Sequence, residues 1–364
     1  MPIVDLYGHD HLRERLAEPA RAGSLPASLL FQGPPGVGKQ RLALWLAQHL
    51  LCQAPQKVAD NPLLPGCGAC PSCRYVTELT HPDLHWIFPR PRLRDSDPDL
   101  EEVRGDYAEA LSERAANSGL YSAPSGSEGI YVATVRSIVQ QSAISPALGR
   151  RKVFIVGDAE RMVPQEGADM AANAFLKLLE EPPADTTIIL TSSEPGALLP
   201  TIKSRVVTVR VPLVAEKAVR AFVEDPAVRK ALDSGSKTSA AERVRLAAGA
   251  PGRLFSGAAE AKATINARRI VDAATSARPT LAHSIALAQG SMGARGNFAD
   301  TLDALVELLG ERARDALHHK DLRAAASAAK AVDAVLQAQV YASGNVSPQL
   351  ITSRLIRDLG EVLR

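Results

Sequence analysis

The sequence predicts an α/β domain built on a parallel sheet with a phosphate-binding loop, then a small helical unit, then a C-terminal helical bundle. Three observations carry this. Strand-like apolar runs alternate with helical patterns up to about Pro212, as in a sheet covered on both faces. The stretch Gly33-Pro34-Pro35-Gly36-Val37-Gly38-Lys39-Gln40 fits G-x-x-x-x-G-K between a strand and a helix. After Pro212 the strand signals stop, and Leu and Ala recur at helical spacing.

Ser28-Leu29-Leu30-Phe31 reads as a buried strand running into the Gly/Pro turn, with a helix over 39–51 behind it. Lys152-Val153-Phe154-Ile155-Val156 is a second strand, 186–191 a third and 206–210 a fourth. Helical patterns cover 132–143 and 168–181 between them. Residues 91–129 are rich in Asp, Glu, Arg, Ser and Gly with little apolar periodicity, and read as a mostly mobile surface insertion. Beyond Pro212, helices are expected over 215–232, 240–248, 322–340 and 350–363, with Gly249-Ala250-Pro251-Gly252 as punctuation. The division expected is 1–212, 213–274 and 275–364.

Composition narrows the function. Of 364 residues 46% are apolar, enough for a substantial core, and the 4% of aromatics leave that core to Leu, Val, Ile and Ala. With 42 basic and 40 acidic residues the net charge is +2. Any nucleic-acid contact must therefore come from local placement. No apolar run reaches the roughly 18 residues of a membrane span. Residues 1–10 lack the apolar stretch of a signal peptide. The four cysteines all fall between Cys52 and Cys73, which fits a reducing cytoplasm and a local metal site better than a disulfide framework.

The loop supplies phosphate chemistry. Gly33, Gly36 and Gly38 let backbone N–H groups converge on phosphate oxygens at a helix N-terminus, and Lys39 reaches the terminal phosphates of ATP or ADP. The next position calls for a Ser or Thr hydroxyl on Mg²⁺, but here it is Gln40. The second strand should end in an acid that holds the metal indirectly and a Glu that polarises water. It ends Val156-Gly157-Asp158-Ala159-Glu160. In one register Gly157 takes the metal position and Asp158 the base position. In the other Asp158 is the metal acid and Ala159 replaces the base. Neither gives an adjacent Asp-Glu pair, and metal-assisted hydrolysis by this chain is in doubt.

Cys67-x-x-Cys70-x-x-Cys73 puts three thiols on one turn system, and Cys52 closes a tetrahedron from the end of the preceding helix. A Cys₄ set favours a closed, structural Zn²⁺. An iron–sulfur cluster would want its fourth cysteine soon after the run, and none follows Cys73. His49, His81 and His85 read as structural or surface residues. No set of acids suited to nucleotidyl transfer is found.

Several segments together resemble the AAA+ clamp-loader subunits of bacterial DNA polymerase III. They are 25–31 leading into the loop, the four cysteines, His81-Pro82-Asp83, and Asn173-Ala174-Phe175-Leu176-Lys177-Leu178-Leu179-Glu180-Glu181-Pro182-Pro183. Leu190-Thr191-Ser192-Ser193-Glu194-Pro195 and Leu199-Pro200-Thr201-Ile202-Lys203-Ser204-Arg205 complete the set, with Val206 where the family has Cys. The detailed match covers about 1–215, apart from 91–129. The resemblance implies an AAA+ domain with an inserted zinc module at about 52–73, a helical lid and an oligomerising collar. It implies that Arg205, with Ser204, faces a neighbouring subunit's ATP as a trans arginine finger. It implies sensor roles for Ser192 and Arg253, and places Asp158 near the nucleotide. Partners implied are gamma/tau and delta subunits, with the sliding clamp and primed DNA reached through the complex. One alternative is an active gamma/tau-type ATPase. Another is a zinc-stabilised DNA-binding adaptor, which the near-neutral charge and the lack of a basic stripe oppose.

Overall fold

The structure is a computed structural model, describing residues 2–55, 61–95, 97–124, 128–162, 169–233, 238–255, 258–276, 279–289, 295–343 and 346–363. Five parallel strands form one sheet: β1 (Ser28–Gln32), β2 (Leu84–Ile87), β3 (Lys152–Val156), β4 (Thr186–Ser192) and β5 (Val207–Arg210), in the order β2-β3-β4-β1-β5. This is the AAA+ arrangement that the resemblance implies. β1 pairs β4 with Leu30 opposite Leu190, and β4 pairs β3 with Ile189 opposite Ile155.

The central strands are near-continuous apolar runs because both faces are covered. Alternate side chains go to opposite sides. Leu29, Phe31, Val153, Ile155 and Ile189 pack with α1 (Asp10–Ala22) and α2 (Lys39–Leu51). Leu30, Phe154, Val156, Ile188 and Leu190 pack with Val135 and Ile138 of a helix at Val132–Ser142, and with Phe175 and Leu179 of one at Asp169–Glu180. Residue 168, where the sequence reading starts this last helix, lies outside the described residues.

Three elements between β1 and β3 go beyond the sequence reading. These are a short helix α3 (Pro71–Thr77), the edge strand β2, and α4 (Leu100–Ala116). The segment 91–129 is therefore irregular only in part: α4 spans 17 residues of it and corrects the expectation of a structureless insertion. Asp99 caps it, its Oδ1 accepting from the N–H groups of Glu101 and Glu102, an arrangement worth about 1 kcal/mol. Arg90 grips Asp106 with two parallel hydrogen bonds of 2.9 and 2.7 Å. The Arg114 guanidinium lies 3.2 to 4.3 Å from the ring centres of Phe88, Tyr121 and Trp86. Only Val103 and Ala110 of α4 are buried, so no apolar stripe announces it. The helices Val132–Ser142, Asp169–Glu180 and Pro200–Lys203 follow as α5, α6 and α7.

The chain divides into two compact units, 1–123 with 128–255, and 124–127 with 256–364. In the first, β5 leads to α8 (Glu216–Glu224), α9 (Pro226–Asp233) and α10 (Ala240–Ala247), around a small core of Val214, Val219, Val223, Val244 and Ala247. The single helix expected over 215–232 is two. Pro226 cannot continue a helix, and Asp225 Oδ1 accepts from the N–H of Ala227 to start the next. The second unit holds α11 (Ala258–Thr275), α12 (Pro279–Ala288), α13 (Arg295–His318), α14 (Leu322–Ser343) and α15 (Pro348–Leu363). Its core gathers Ile270, Leu302, Leu305, Leu309, Val335 and Leu355.

Candidate functional site

The phosphate loop leaves β1 at Gln32 and enters α2 at Lys39. Gly38 stands at φ 94°, which only glycine adopts without strain. Among the described residues the N–H groups of Val37 through Arg41 meet no protein acceptor, since the first helical bond runs from Leu42 to the Gly38 carbonyl. Five adjacent donors at a helix N-terminus make an anion-binding nest.

Lys39 is 5% exposed and has three ammonium donors. All three are used: the Gly33 carbonyl at 2.9 Å, the Pro34 carbonyl at 2.9 Å and Ser193 Oγ at 2.8 Å. Burial lowers its pKa, opposed by the charges of Asp158 and Glu160. Ser193 N–H donates to Glu160 Oε1 at 2.8 Å. Ser193 is thus the residue of the Ser192-Ser193 pair that meets Lys39, while the Ser192 hydroxyl accepts from Glu194 N–H. His9 Nε2–H donates to the Val37 carbonyl, and Gly252 N–H donates to the Gly36 carbonyl, each at 2.8 Å. The Gly252 bond brings Arg253 against the loop. A Cβ on Gly36 would fall 2.9 Å from Arg253 N and 3.3 Å from its Cγ.

Gln40 occupies the metal corner with its own amide. Its Nε2 donates to Asp158 Oδ2, and its Oε1 accepts from Trp86 Nε1–H, both at 2.9 Å. The magnesium that accompanies nucleotide in this fold needs oxygen ligands. The one oxygen that Gln40 owns is turned to an indole, and its N–H groups face the carboxylate. The residue set does not fit the ion. Burial and then the Glu160 charge raise the pKa of Asp158.

Arg205 lies at the far edge of the sheet, after α7, just before β5. Its Nε donates to Glu180 Oε2 at 2.9 Å, and its Nη1 to the Thr201 carbonyl at 3.0 Å and Ser204 Oγ at 3.4 Å. Nη2 meets no protein acceptor among the described residues. The side chain is 30% exposed and borders a shallow depression with Glu180, Ser204, Val206 and Val207. Glu180 is the partner that sequence reading left out. In the sequence it stands within the 173–183 segment that carries the resemblance, with nothing there to pair it with Arg205.

The sulfurs of Cys52, Cys67, Cys70 and Cys73 lie within 4.8 Å of one another, and none is in a disulfide. A tetrahedral ion with 2.3 Å bonds sets its sulfurs roughly 3.8 Å apart, and four sulfurs all within 4.8 Å of one another can close on such an ion. Cys67 N–H points at Cys52 Sγ, Cys70 N–H at Cys67 Sγ and Cys73 N–H at Cys70 Sγ, at 3.3 to 3.4 Å. Such N–H···S bonds stabilise thiolates. Burial works against the Cys67 thiolate, but the N–H groups of Ala69 and Cys70 outweigh it and hold the thiol down at about 6. Burial pushes Cys52 and Cys73 up, a tendency that a central cation reverses. The donor set fits a thiophilic structural ion. Ser72, fully buried between two of the cysteines, donates to the Leu51 carbonyl at the end of α2 and bonds His81 Nε2 at 2.6 Å. His81 Nδ1 accepts from Asp83 N–H. The cluster is thereby fastened to both the phosphate-loop helix and β2.

Comparison with known proteins gives a consistent answer. A family model described as DNA polymerase III, delta subunit, matches residues 8–214. The DNA polymerase III subunit delta' of Pseudomonas aeruginosa is 34% identical over 212 residues, 57% of this chain and 51% of that protein. The Escherichia coli delta' subunit is 32% identical over 192 residues, 53% of this chain and 44% of that protein. The gamma/tau subunit of Mycobacterium tuberculosis is 28% identical over 221 residues, 61% of this chain and 30% of that protein. The chain spans about half the length of the curated delta' relatives it matches. Among the described residues no helix is long and apolar enough to cross a membrane.

Proposed function

The chain belongs to the DNA polymerase III delta-subunit family, in which three of the curated relatives it matches are delta' subunits, and we propose that it serves the clamp loader by lending Arg205 to a neighbouring subunit's ATP. The observation that carries this reading is the contrast between its two sites. Arg205 is partly exposed at the sheet's edge and hydrogen-bonded to Glu180 and Ser204. The chain's own metal corner is filled by Gln40. A planar, permanently charged guanidinium suits a γ-phosphate, and trans arginines contribute roughly 10³–10⁵-fold to hydrolysis.

In this reading Ser204 helps aim Arg205, and the chain has little or no ATPase of its own. Of the segment 213–274 expected as a lid, the helices α8–α10 keep that role, and α11, packed in the core of the second unit, joins 275–364 as the collar that binds gamma/tau and delta subunits. The sliding clamp and primed DNA are reached through that assembly, in the cytoplasm. The four thiolates hold a structural Zn²⁺ that braces the end of α2. Gly33, Gly36, Gly38 and Lys39 remain a phosphate loop, flanked by Arg253.

A second reading, a gamma/tau-type motor, is favoured by the 28% identity to gamma/tau subunits and by the free N–H nest of the loop. ATP turnover by the isolated chain separates them, and none of substance is expected. Co-elution with gamma/tau and delta as one stable complex tests both. Robust turnover by the chain alone would favour the motor. Failure to join the complex would defeat both.

A further inference from the structure

At one corner of the loop two departures from the ATPase pattern fit each other. Gln40 is 5% exposed and Trp86 1%. Indole nitrogen is a donor only, so Gln40 must turn its oxygen to Trp86 and its amide N–H to Asp158. Trp86 in turn lies under the Arg114 guanidinium, 4.3 Å from the ring centre. Gly157 faces the same amide. A Cβ there would fall 2.5 Å from Gln40 Cδ and Oε1 and 2.6 Å from Nε2, closer than real Cβ contacts come. A side chain at 157 would therefore force the Gln40 amide out of its place. Displacing the Gln40 amide would strand a buried indole N–H and an Asp158 oxygen at once.

The anion side of the same loop keeps its donors. The N–H groups of Val37 through Arg41 have no protein acceptor among the described residues, and the Lys39 ammonium is held to the same loop by the Gly33 and Pro34 carbonyls. Of the three Lys39 partners, two are carbonyls of the loop itself and the third is the Ser193 hydroxyl. That third bond is the one a phosphate oxygen can replace.

We propose that Gln40 and Gly157 together make this a phosphate site that excludes the divalent cation. It takes a nucleoside di- or triphosphate, or pyrophosphate, stripped of magnesium. The proposal rests on the reading of the loop as a phosphate site, and not on the role of Arg205. Lys39, the helix N-terminus and the nest supply the positive potential that the ion supplies elsewhere.

The test is isothermal titration of the full-length chain with ADP and with pyrophosphate, first in a chelator and then in excess Mg²⁺. The expected result is saturable binding in the chelator, abolished by Lys39→Ala. Excess Mg²⁺ should raise the apparent Kd about tenfold or more, because the ion competes for the ligand. Gln40→Thr, which opens the corner and offers a hydroxyl, should reverse that dependence. Tighter or unchanged binding with Mg²⁺ overturns the proposal, as does the absence of saturable binding of either probe. A thermal unfolding cycle tests the pairing separately. Gly157→Ala should lower the Tm in the wild-type background and do so much less beside Gln40→Ser. Equal losses in both backgrounds overturn the matched pair. None of these outcomes touches the proposed role of Arg205, which is tested separately in the assembled complex.

Discussion

Glu180, the last residue of α6, holds the Arg205 guanidinium through a 2.9 Å bond from Nε to Oε2. The pair is exposed, Glu180 at 57% and Arg205 at 30%. Exposed ion pairs contribute about 0–1 kcal/mol to stability. In the proposed role of Arg205, the pair serves to aim the guanidinium. Glu180→Ala should leave stability within about 1 kcal/mol of wild type in urea unfolding. In the assembled complex the same substitution should lower ATP turnover, less severely than loss of the arginine itself. A variant that loses stability but keeps turnover would contradict this role.

The cysteine cluster predicts one zinc per chain by elemental analysis, lost on Cys52→Ser. Apparent binding energies for such sites reach about 10–16 kcal/mol in small peptides, so chelation should markedly lower the Tm. Ser72→Ala keeps the four ligands but strands the Leu51 carbonyl and His81. It should cost about 1–3 kcal/mol while leaving zinc content at one. Zinc loss from Ser72→Ala would mean that the serine supports the ligands and not the sheet.

Asp83 accepts three backbone N–H groups, from Ala147, Leu148 and Gly149, at 2.6 to 2.9 Å. Burial alone would raise its pKa, but these donors outweigh it, and the carboxyl lies below its usual range. Its contribution is then complete above the unfolded value of about 4 and declines as pH falls below it. Asp83→Ala should cost about 1–3 kcal/mol at neutral pH, at the low end because the turn is open to water.

His85 stacks on Phe154 at 4.5 Å, and burial lowers its pKa to about 4. The folded chain holds it neutral while the unfolded chain protonates it near 6.5. Its contribution is complete above about pH 6.5 and falls away as pH drops toward 4. His85→Phe should flatten the fall in urea midpoint between those values. An unchanged slope would show that other groups dominate that window.

Features written in contiguous residues were legible in the sequence. β1, β3 and β4 are unbroken apolar runs because helices cover both faces, and the four cysteines declare themselves by spacing. β2 was not legible, since Leu84-His85-Trp86-Ile87 is short and carries a polar ring. α4 was not, because it is held by Asp99, by Arg90–Asp106 and by Arg114 among aromatic rings, and not by a buried stripe. Gln40 was seen as a missing hydroxyl. Its positive role needed Trp86, far along the chain, and the absence of a side chain at 157. The same holds for Glu180, whose partner is 25 residues away.

The central claim is that this chain acts on a neighbour's ATP through Arg205. Its most direct test is DNA- and clamp-stimulated ATP turnover by the complex reconstituted with gamma/tau and delta, comparing wild type with Arg205→Ala and Arg205→Lys. The account predicts intact assembly with reduced turnover for Arg205→Ala. Lysine should fail to restore it, because a point charge lacks the planar fork. Wild-type turnover in an intact Arg205→Ala complex would contradict the account.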